Sequence, residues 1–312
     1  MNLVLVILGL VALWQGTDFA LEGALRISSR FGVSRGFVGL TVLAIGTGLP
    51  ELVVGVVGGM EQLAGVEASG VVVGNMTGSV VTQGAVVLGV SGLLSHLRLA
   101  PRMIRRDGII LLLAIGLFAL VGSDGRIVRS EGAVLIVGYA IYLVALFQAE
   151  RSGKDAPKPT EGRRAIVDLL TVTLGLATVV VAAHVVVVNA ISIADDWNVS
   201  QTVVGIFLVG AGTSLPELAL SVRAAAKGQS SMSVGNVIGS NTFDLMVPVG
   251  ASSAIFPLTV SRDVMIIDIP VMAIVTVTAL VFFIRKKGLQ KGEALTLLVM
   301  YGAYLILRVF II

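Results

Sequence analysis

Two glutamates stand out as residues that could do chemistry, because each lies in the middle of a long apolar segment. Glu51 ends the sequence GTGLPE, and Glu217 ends the sequence GTSLPE. If these segments cross a membrane, an ionisable side chain at the helix centre costs roughly 2.5–3.5 kcal/mol even on the milder insertion scale. A side chain that is kept in the membrane at such a cost usually has a function. For a carboxylate in apolar surroundings, we predict that this function is to bind a cation.

The residues next to each glutamate would supply further oxygen atoms. Pro50 and Pro216 each remove a backbone donor and so free a carbonyl group in the preceding turn. Thr47, Thr213 and Ser214 add hydroxyl groups, and neither motif contains a thiol or an imidazole. An oxygen-only set with carboxylates suits hard cations such as calcium or sodium. A proline kink with a neutralised glutamate is the alternative for a single motif, but this motif occurs twice.

A second pair of motifs adds hydroxyl, amide and carboxylate groups. GNMTGSVVTQ ends at Gln83, and GNVIGSNTFD ends at Asp244. Ser79 and Ser240 each lie four residues earlier, about one helical turn, so each hydroxyl shares a helix face with the amide or the acid. Because Gln83 and Asp244 occupy equivalent positions, the predicted site is asymmetric.

These motifs belong to a longer internal repeat. Residues 33–52 match residues 199–218 at an offset of 166, and the second motif pair matches at an offset of 161. Each half contains five apolar spans, an odd number, so the second half enters the membrane from the opposite side. The sequence therefore predicts inverted repeats, which are typical of transporters and bring equivalent motifs together near the bilayer midplane.

The elements that must position these groups are predicted to be membrane-spanning helices. The chain has 312 residues, of which 56% are hydrophobic and only 13% charged, and its mean hydropathy is +0.98. A helix needs roughly 20 apolar residues to cross the bilayer, and runs that are apolar on every face argue against a β-barrel. We predict an all-α polytopic membrane protein with ten transmembrane helices, the motifs lying on broken helices. The approximate spans are 3–25, 37–59, 68–94, 103–121, 131–148, 166–193, 203–226, 231–257, 263–283 and 291–311.

The domain organisation follows from the repeat. Residues 1–148 are predicted to form the first five-helix repeat and residues 165–312 the second, with a polar cytoplasmic linker at 149–164. A transporter is the first interpretation of this plan. A cation channel or a non-transporting membrane scaffold is the alternative from a different class. The sequence contains no nucleotide-binding fingerprint, which argues against a primary pump, and we expect no enzymatic activity.

The basic residues predict orientation and not nucleic-acid binding. Eighteen of the 22 Lys and Arg residues fall on one side when successive loops alternate across the membrane. By the positive-inside rule that side is cytoplasmic. This places the Arg151–Arg164 loop inside and both termini outside, in what we expect to be the cell membrane. The first span is expected to be retained and not cleaved. Besides the lipid bilayer, the pattern indicates no particular protein partner.

The quoted motifs carry a family resemblance. GTGLPE and GNMTGS in the first half, with GTSLPE and GNVIGSNTFD in the second, resemble the paired alpha-repeats of the cation/calcium exchanger superfamily, most closely those of prokaryotic sodium/calcium exchangers. The resemblance implies exchange of calcium for sodium by alternating access, with both ions as substrates and with no cofactor. It implies a calcium site formed by Glu51, Glu217, Thr47, Thr213 and the carbonyls near Ala44 and Gly210, beside sodium sites that use Ser79, Ser240, Ser214, Gln83 and Asp244.

Two residues depart from the usual pattern of these exchangers. Gly48 stands where the family commonly has Ser, and Gln83 stands where sodium/calcium exchangers commonly have Asn. The number and selectivity of the bound ions therefore stay open. Related proton/calcium exchangers typically carry Glu at the positions of Gln83 and Asp244, and neither half does. This favours sodium coupling, with a proton/calcium exchanger of the same fold as the alternative.

Overall fold

The structure is a computed structural model whose described residues are 2–65, 67–151, 165–196, 213–285 and 288–310. Nearly all of these residues are helical. In chain order the helices are α1 (Asn2–Phe31), α2 (Arg35–Thr47), α3 (Leu49–Leu63), α4 (Ser69–Leu94), α5 (Pro101–Val121), α6 (Arg129–Arg151), α7 (Ala165–Asp196), α8 (Leu215–Ala226), α9 (Ser230–Ile255), α10 (Val264–Arg285) and α11 (Lys291–Phe310). Two short strands pair antiparallel: β1 (Arg126–Ile127), between α5 and α6, and β2 (Leu258–Thr259), between α9 and α10.

The two proline motifs start helices in the same way. The chain bends by 44° between α2 and α3, where Gly48 has φ −77° and ψ 5° and Pro50 lies in the first turn of α3. Ser214 precedes α8 with φ −86° and ψ 5°, and Pro216 lies in its first turn. Proline is tolerated at this position because the missing N–H would have no helical partner. The predicted break is therefore confirmed at the first motif. At the second motif the described residues show a helix that begins at Leu215, and each motif glutamate lies in the first turn of its helix.

The distribution of side chains is that of a membrane protein. Large apolar residues such as Leu113, Leu120 and Val299 are more than 60% exposed, whereas Glu51 and Asp244 are fully buried. Among the described residues, four helices are long and apolar enough to cross a membrane, or five when α2 and α3 count as one bent span. The polytopic helical prediction agrees with this, and the number ten stays a prediction.

Helices α4 and α9, which carry the second motif pair, meet at the centre of the molecule. The Gln83 amide donates to Asp244, and Asn241 Nδ2 donates to the Val80 carbonyl at 3.4 Å. Helix α9 also packs against the backbone of α2: a Cβ atom on Gly239 would lie 2.6 Å from the Leu40 carbonyl oxygen. The small residues of the motifs are thus needed for close helix approach.

Helices α1 and α7 form a tightly packed pair beside this centre. A Cβ atom on Gly175 of α7 would lie 2.8 Å from Cα of Ala20 on α1. Asp168 of α7 accepts hydrogen bonds from Arg26 at 2.9 Å and from Arg30 at 3.0 Å, both on α1. These contacts make the pair one packing unit.

Ion pairs then tie α1 to the end of α8. Asp18 on α1 accepts two hydrogen bonds from Arg223, at 2.7 and 2.8 Å, and lies 2.8 Å from Nζ of Lys227. The Arg223 guanidinium also lies 4.4 Å from the ring centroid of Trp14. Because Arg223 follows Glu217 on α8, this network links the α1–α7 pair to the helix that carries a motif glutamate.

Candidate ion-binding site

The two motif glutamates lie in the interior with their carboxylates unpaired. Glu51 in the first turn of α3 and Glu217 in the first turn of α8 are both 0% exposed. Among the described residues, none of their four carboxylate oxygens has a partner with hydrogen-bond geometry, although the hydroxyls of Thr213 and Thr47 lie close enough to interact with Glu51 and Glu217, respectively. Asp244 of α9 lies within electrostatic reach of both. Buried polar atoms are almost always satisfied, so four orphaned carboxylate oxygens in one place point to a bound ion.

Two hydroxyl pairs flank the glutamates and join the two halves crosswise. Thr47 Oγ1 lies 3.4 Å from Ser240 Oγ, and Ser79 Oγ lies 3.4 Å from Thr213 Oγ1. Each pair combines the proline motif of one half with the glycine–asparagine motif of the other half. Four of the five predicted hydroxyl residues are therefore brought together in two equivalent pairs.

Gln83 and Asp244, the pair that makes the predicted site asymmetric, contact each other directly across the two halves. Gln83 Nε2 donates to Asp244 Oδ2 at 2.9 Å, and both residues are 0% exposed. The remaining oxygens, Gln83 Oε1 and Asp244 Oδ1, have no partner among the described residues. Each of these two side chains thus keeps one oxygen available for a ligand.

The remaining predicted site residues differ in what the structure shows. Ser214 is 1% exposed, and its hydroxyl has no partner within the described part of the chain. The Ala44 carbonyl accepts the helical hydrogen bond from Gly48 N at 3.0 Å. Pro50 does not free this carbonyl, because its missing donor would have served Gly46, four residues earlier. Gly210 lies outside the described residues.

Two asparagines of the repeated GN sequence were not among the residues predicted from the sequence, and the structure places Asn75 against Thr213 of the site. Thr213 Oγ1 donates to Asn75 Oδ1 at 3.1 Å, and the Asn75 amide nitrogen has no described partner. At the equivalent position, Asn236 Nδ2 donates to Ser221 Oγ at 3.1 Å, and its carbonyl oxygen is unpartnered in the described residues. Both asparagines belong to the repeated GN sequence, so the duplication of that dipeptide was the signal that could have identified them.

A cavity reaches one side of this cluster. It has a volume of about 320 Å³ and is lined by polar groups that include Asn75, Thr82, Thr213, Asp268 and Arg308. Within the described residues, no three His, Asp or Glu side chains converge closely enough to hold a metal on their own. Hydroxyl, amide and backbone oxygens would have to complete any coordination shell, as is usual for calcium and sodium.

Comparison with known proteins gives consistent matches over the whole chain. The family described as "Sodium/calcium exchanger protein" matches residues 1–148 and 167–310. The sodium/calcium exchanger MaX1 of Methanosarcina acetivorans is 32% identical over 99% of both chains. The inner membrane protein YrbG of Escherichia coli is 30% identical over 83% of both chains. A solved structure of the sodium-calcium exchanger NCX_Mj has a TM-score of 0.84 at 28% identity, covering 99% of this chain and 98% of that chain.

Proposed function

The chain belongs to the sodium/calcium exchanger protein family, and from this premise we propose that it exchanges calcium for sodium across a membrane by alternating access. Family membership establishes a cation-exchange transporter of the membrane, which is not an enzyme. The identity of the two exchanged ions is the proposal.

The unpartnered oxygens of Glu51 and Glu217 are the observation that supports calcium most directly. The neighbouring carboxylates of Glu51 and Glu217 repel each other in a low-dielectric interior, and a divalent cation would turn that repulsion into attraction. The proposed calcium ligands are Glu51, Glu217, Thr47, Thr213 and the carbonyls near Ala44 and Gly210. The proposed sodium ligands beside them are Ser79, Ser240, Ser214, Gln83 and Asp244.

The Gln83–Asp244 contact supports sodium as the coupling ion. A proton-coupled exchanger needs groups that gain and lose protons during the cycle, and Gln83 cannot do so. The two glutamates are assigned to calcium in this proposal, which leaves Asp244 as the remaining acidic group at the site among the described residues. A proton/calcium exchanger is the second candidate because Asp244 is present, and the transport experiment below separates the two.

We also propose the membrane topology expected from the sequence. Ten spans would form two inverted halves, 1–148 and 165–312, around a cytoplasmic linker at 149–164, with both termini outside the cell membrane. The crosswise hydroxyl pairs support this arrangement, because a two-fold axis between inverted halves brings equivalent motifs face to face. A second duplicated contact supports it too: Tyr142 donates to Asp107 at 3.4 Å, and Tyr304 donates to Asp268 at 2.9 Å.

Calcium-45 uptake into proteoliposomes tests the function. Vesicles loaded with sodium or with choline, at equal pH on both sides, are diluted into sodium-free medium containing the isotope. We expect uptake only from the sodium-loaded vesicles, with little change when a proton gradient is collapsed. Equal uptake from both preparations together with strong stimulation by an acid interior would establish the proton/calcium alternative. Dissipation of a calcium gradient without a counter-ion would indicate a channel, and no flux would indicate a scaffold.

A further inference from the structure

The two sides of the ion site differ in a way that the backbone does not explain. At the repeat offsets, Gly48 is equivalent to Ser214, and Phe243 is equivalent to Thr82. Gly48 and Ser214 have nearly the same backbone angles, φ −77° and ψ 5° against φ −86° and ψ 5°. Any L-amino acid adopts such negative φ values. The glycine at position 48 is therefore required by a neighbour and not by its own backbone.

That neighbour is Phe243. A Cβ atom on residue 48 would lie 2.7 Å from Cδ1 and 2.9 Å from Cε1 of the Phe243 ring. The ring is 3% exposed and packs edge-on against Tyr139, with 5.6 Å between ring centroids. A close-packed aromatic ring cannot move aside without disturbing its neighbours. Serine is thus excluded from position 48 while Phe243 keeps its place.

The equivalent position in the other half is polar. Thr82 Oγ1 donates to the Tyr301 hydroxyl at 3.2 Å, where Phe243 makes only a ring contact with Tyr139. The Tyr139 hydroxyl consequently lacks a partner among the described residues. Ser214, the repeat equivalent of Gly48, has a buried hydroxyl that is also unpartnered in the described part of the chain. One half therefore presents a free hydroxyl at the place where the other half presents hydrocarbon.

We propose that the Gly48–Phe243 pair eliminates a subsite for a monovalent cation that the Ser214–Thr82 pair retains, so that fewer sodium ions move per calcium ion than a two-sided site would carry. This inference rests on the proposed function and refines its coupling ratio. A small cation depends on oxygen ligands to replace its hydration shell. At Gly48 it would lose the serine hydroxyl and face two adjacent carbons on the edge of an aromatic ring, which carries partial positive charge.

The variant G48S/F243T copies the Ser214–Thr82 arrangement onto the other side. Purified protein is reconstituted into vesicles with the membrane potential clamped at zero, and a sodium gradient is imposed. The quantity measured is the ratio of the calcium concentrations on the two sides of the membrane at which the net calcium-45 flux is zero. With a sodium gradient of about tenfold, each additional coupled sodium ion raises that ratio about tenfold. We expect the double variant to balance at a calcium ratio about tenfold above the wild type. The matched control G48A/F243T keeps the F243T change but adds no hydroxyl at position 48, and it should balance at the wild-type ratio.

The outcomes separate this inference from the proposed function. If wild-type protein shows no sodium-dependent calcium flux, the proposed function itself is wrong. If the wild type and G48S/F243T both transport calcium and reach zero net flux at the same calcium ratio, the proposed exchange function is retained. The proposal that a subsite is missing at Gly48 is then refuted. The same holds if G48A/F243T rises as much as G48S/F243T. If the double variants do not fold, the S214G variant provides the test. Loss of the Ser214 hydroxyl should lower the calcium ratio at zero net flux about tenfold, and an unchanged ratio refutes the inference.

Discussion

Replacing Glu51 with Gln tests the centre of the proposed site with almost no change in shape. Both Glu51 oxygens are buried without a partner in hydrogen-bond geometry among the described residues, and Gln keeps an acceptor oxygen for the nearby Thr213 hydroxyl. It removes one negative charge beside Glu217 and Asp244. Removing one partner of a buried charge pair costs about 3–5 kcal/mol. For a bound calcium ion, this lowers the affinity by roughly 150- to 5,000-fold.

The same substitution should leave the fold intact. Because it removes repulsion between neighbouring acids, we expect the calcium-free melting temperature of E51Q to equal or exceed that of the wild type. Calcium at about one hundred times the wild-type Kd stabilises the wild type by about 2.7 kcal/mol. At that concentration, an affinity about 150-fold weaker leaves about 0.3 kcal/mol of stabilisation. The calcium-dependent rise in melting temperature should therefore almost disappear.

Thermal unfolding in detergent, with and without calcium, measures this directly, and calcium-45 uptake measures the functional loss. E61Q is the matched control, since Glu61 lies on the same helix, is exposed, and is far from the unpaired carboxylates. E61Q should keep both the calcium-dependent stabilisation and the flux. If E51Q keeps the wild-type rise in melting temperature, or retains substantial calcium flux, then Glu51 does not bind the transported ion. E217Q should behave like E51Q.

Three further outcomes follow from the structure. Asp244→Asn should reduce sodium-driven calcium uptake by no more than about tenfold, because the amide keeps an oxygen for the ion; complete loss would show that the ionised acid is required. Gly175→Leu should lower the melting temperature, because the new side chain forces α7 away from Ala20 and reduces the free energy of unfolding by about 1–3 kcal/mol or more. Gly116→Leu is the control and should leave the melting temperature unchanged, because Gly116 is exposed and no heavy atom lies within 4 Å of an added Cβ. Lys154→Cys should react with an impermeant thiol reagent only from the inside, against no background because the chain has no Cys; labelling from outside would overturn the topology.

Much of the site could be predicted because its parts are local in sequence. The helix break before Glu51 and Glu217 follows from the adjacent proline, and the hydroxyls at Thr47 and Thr213 lie within one turn of it. A membrane interior also makes any buried charge conspicuous. The carbonyl near Ala44 came only from the family resemblance, and its role stays a proposal, because the carbonyl that Pro50 leaves without a helical donor is that of Gly46.

The sequence by itself determined the helical membrane class and the duplication and supplied the proposed site residues, because apolar length, proline breaks and repeated motifs are properties of neighbouring residues. Only the tertiary structure decided which groups meet. Thr47 pairs with Ser240, Ser79 pairs with Thr213, and Gln83 contacts Asp244, each across more than 130 residues. It also revealed that Gly48 is matched to Phe243, because a steric demand between two helices leaves no trace in the local pattern of either one.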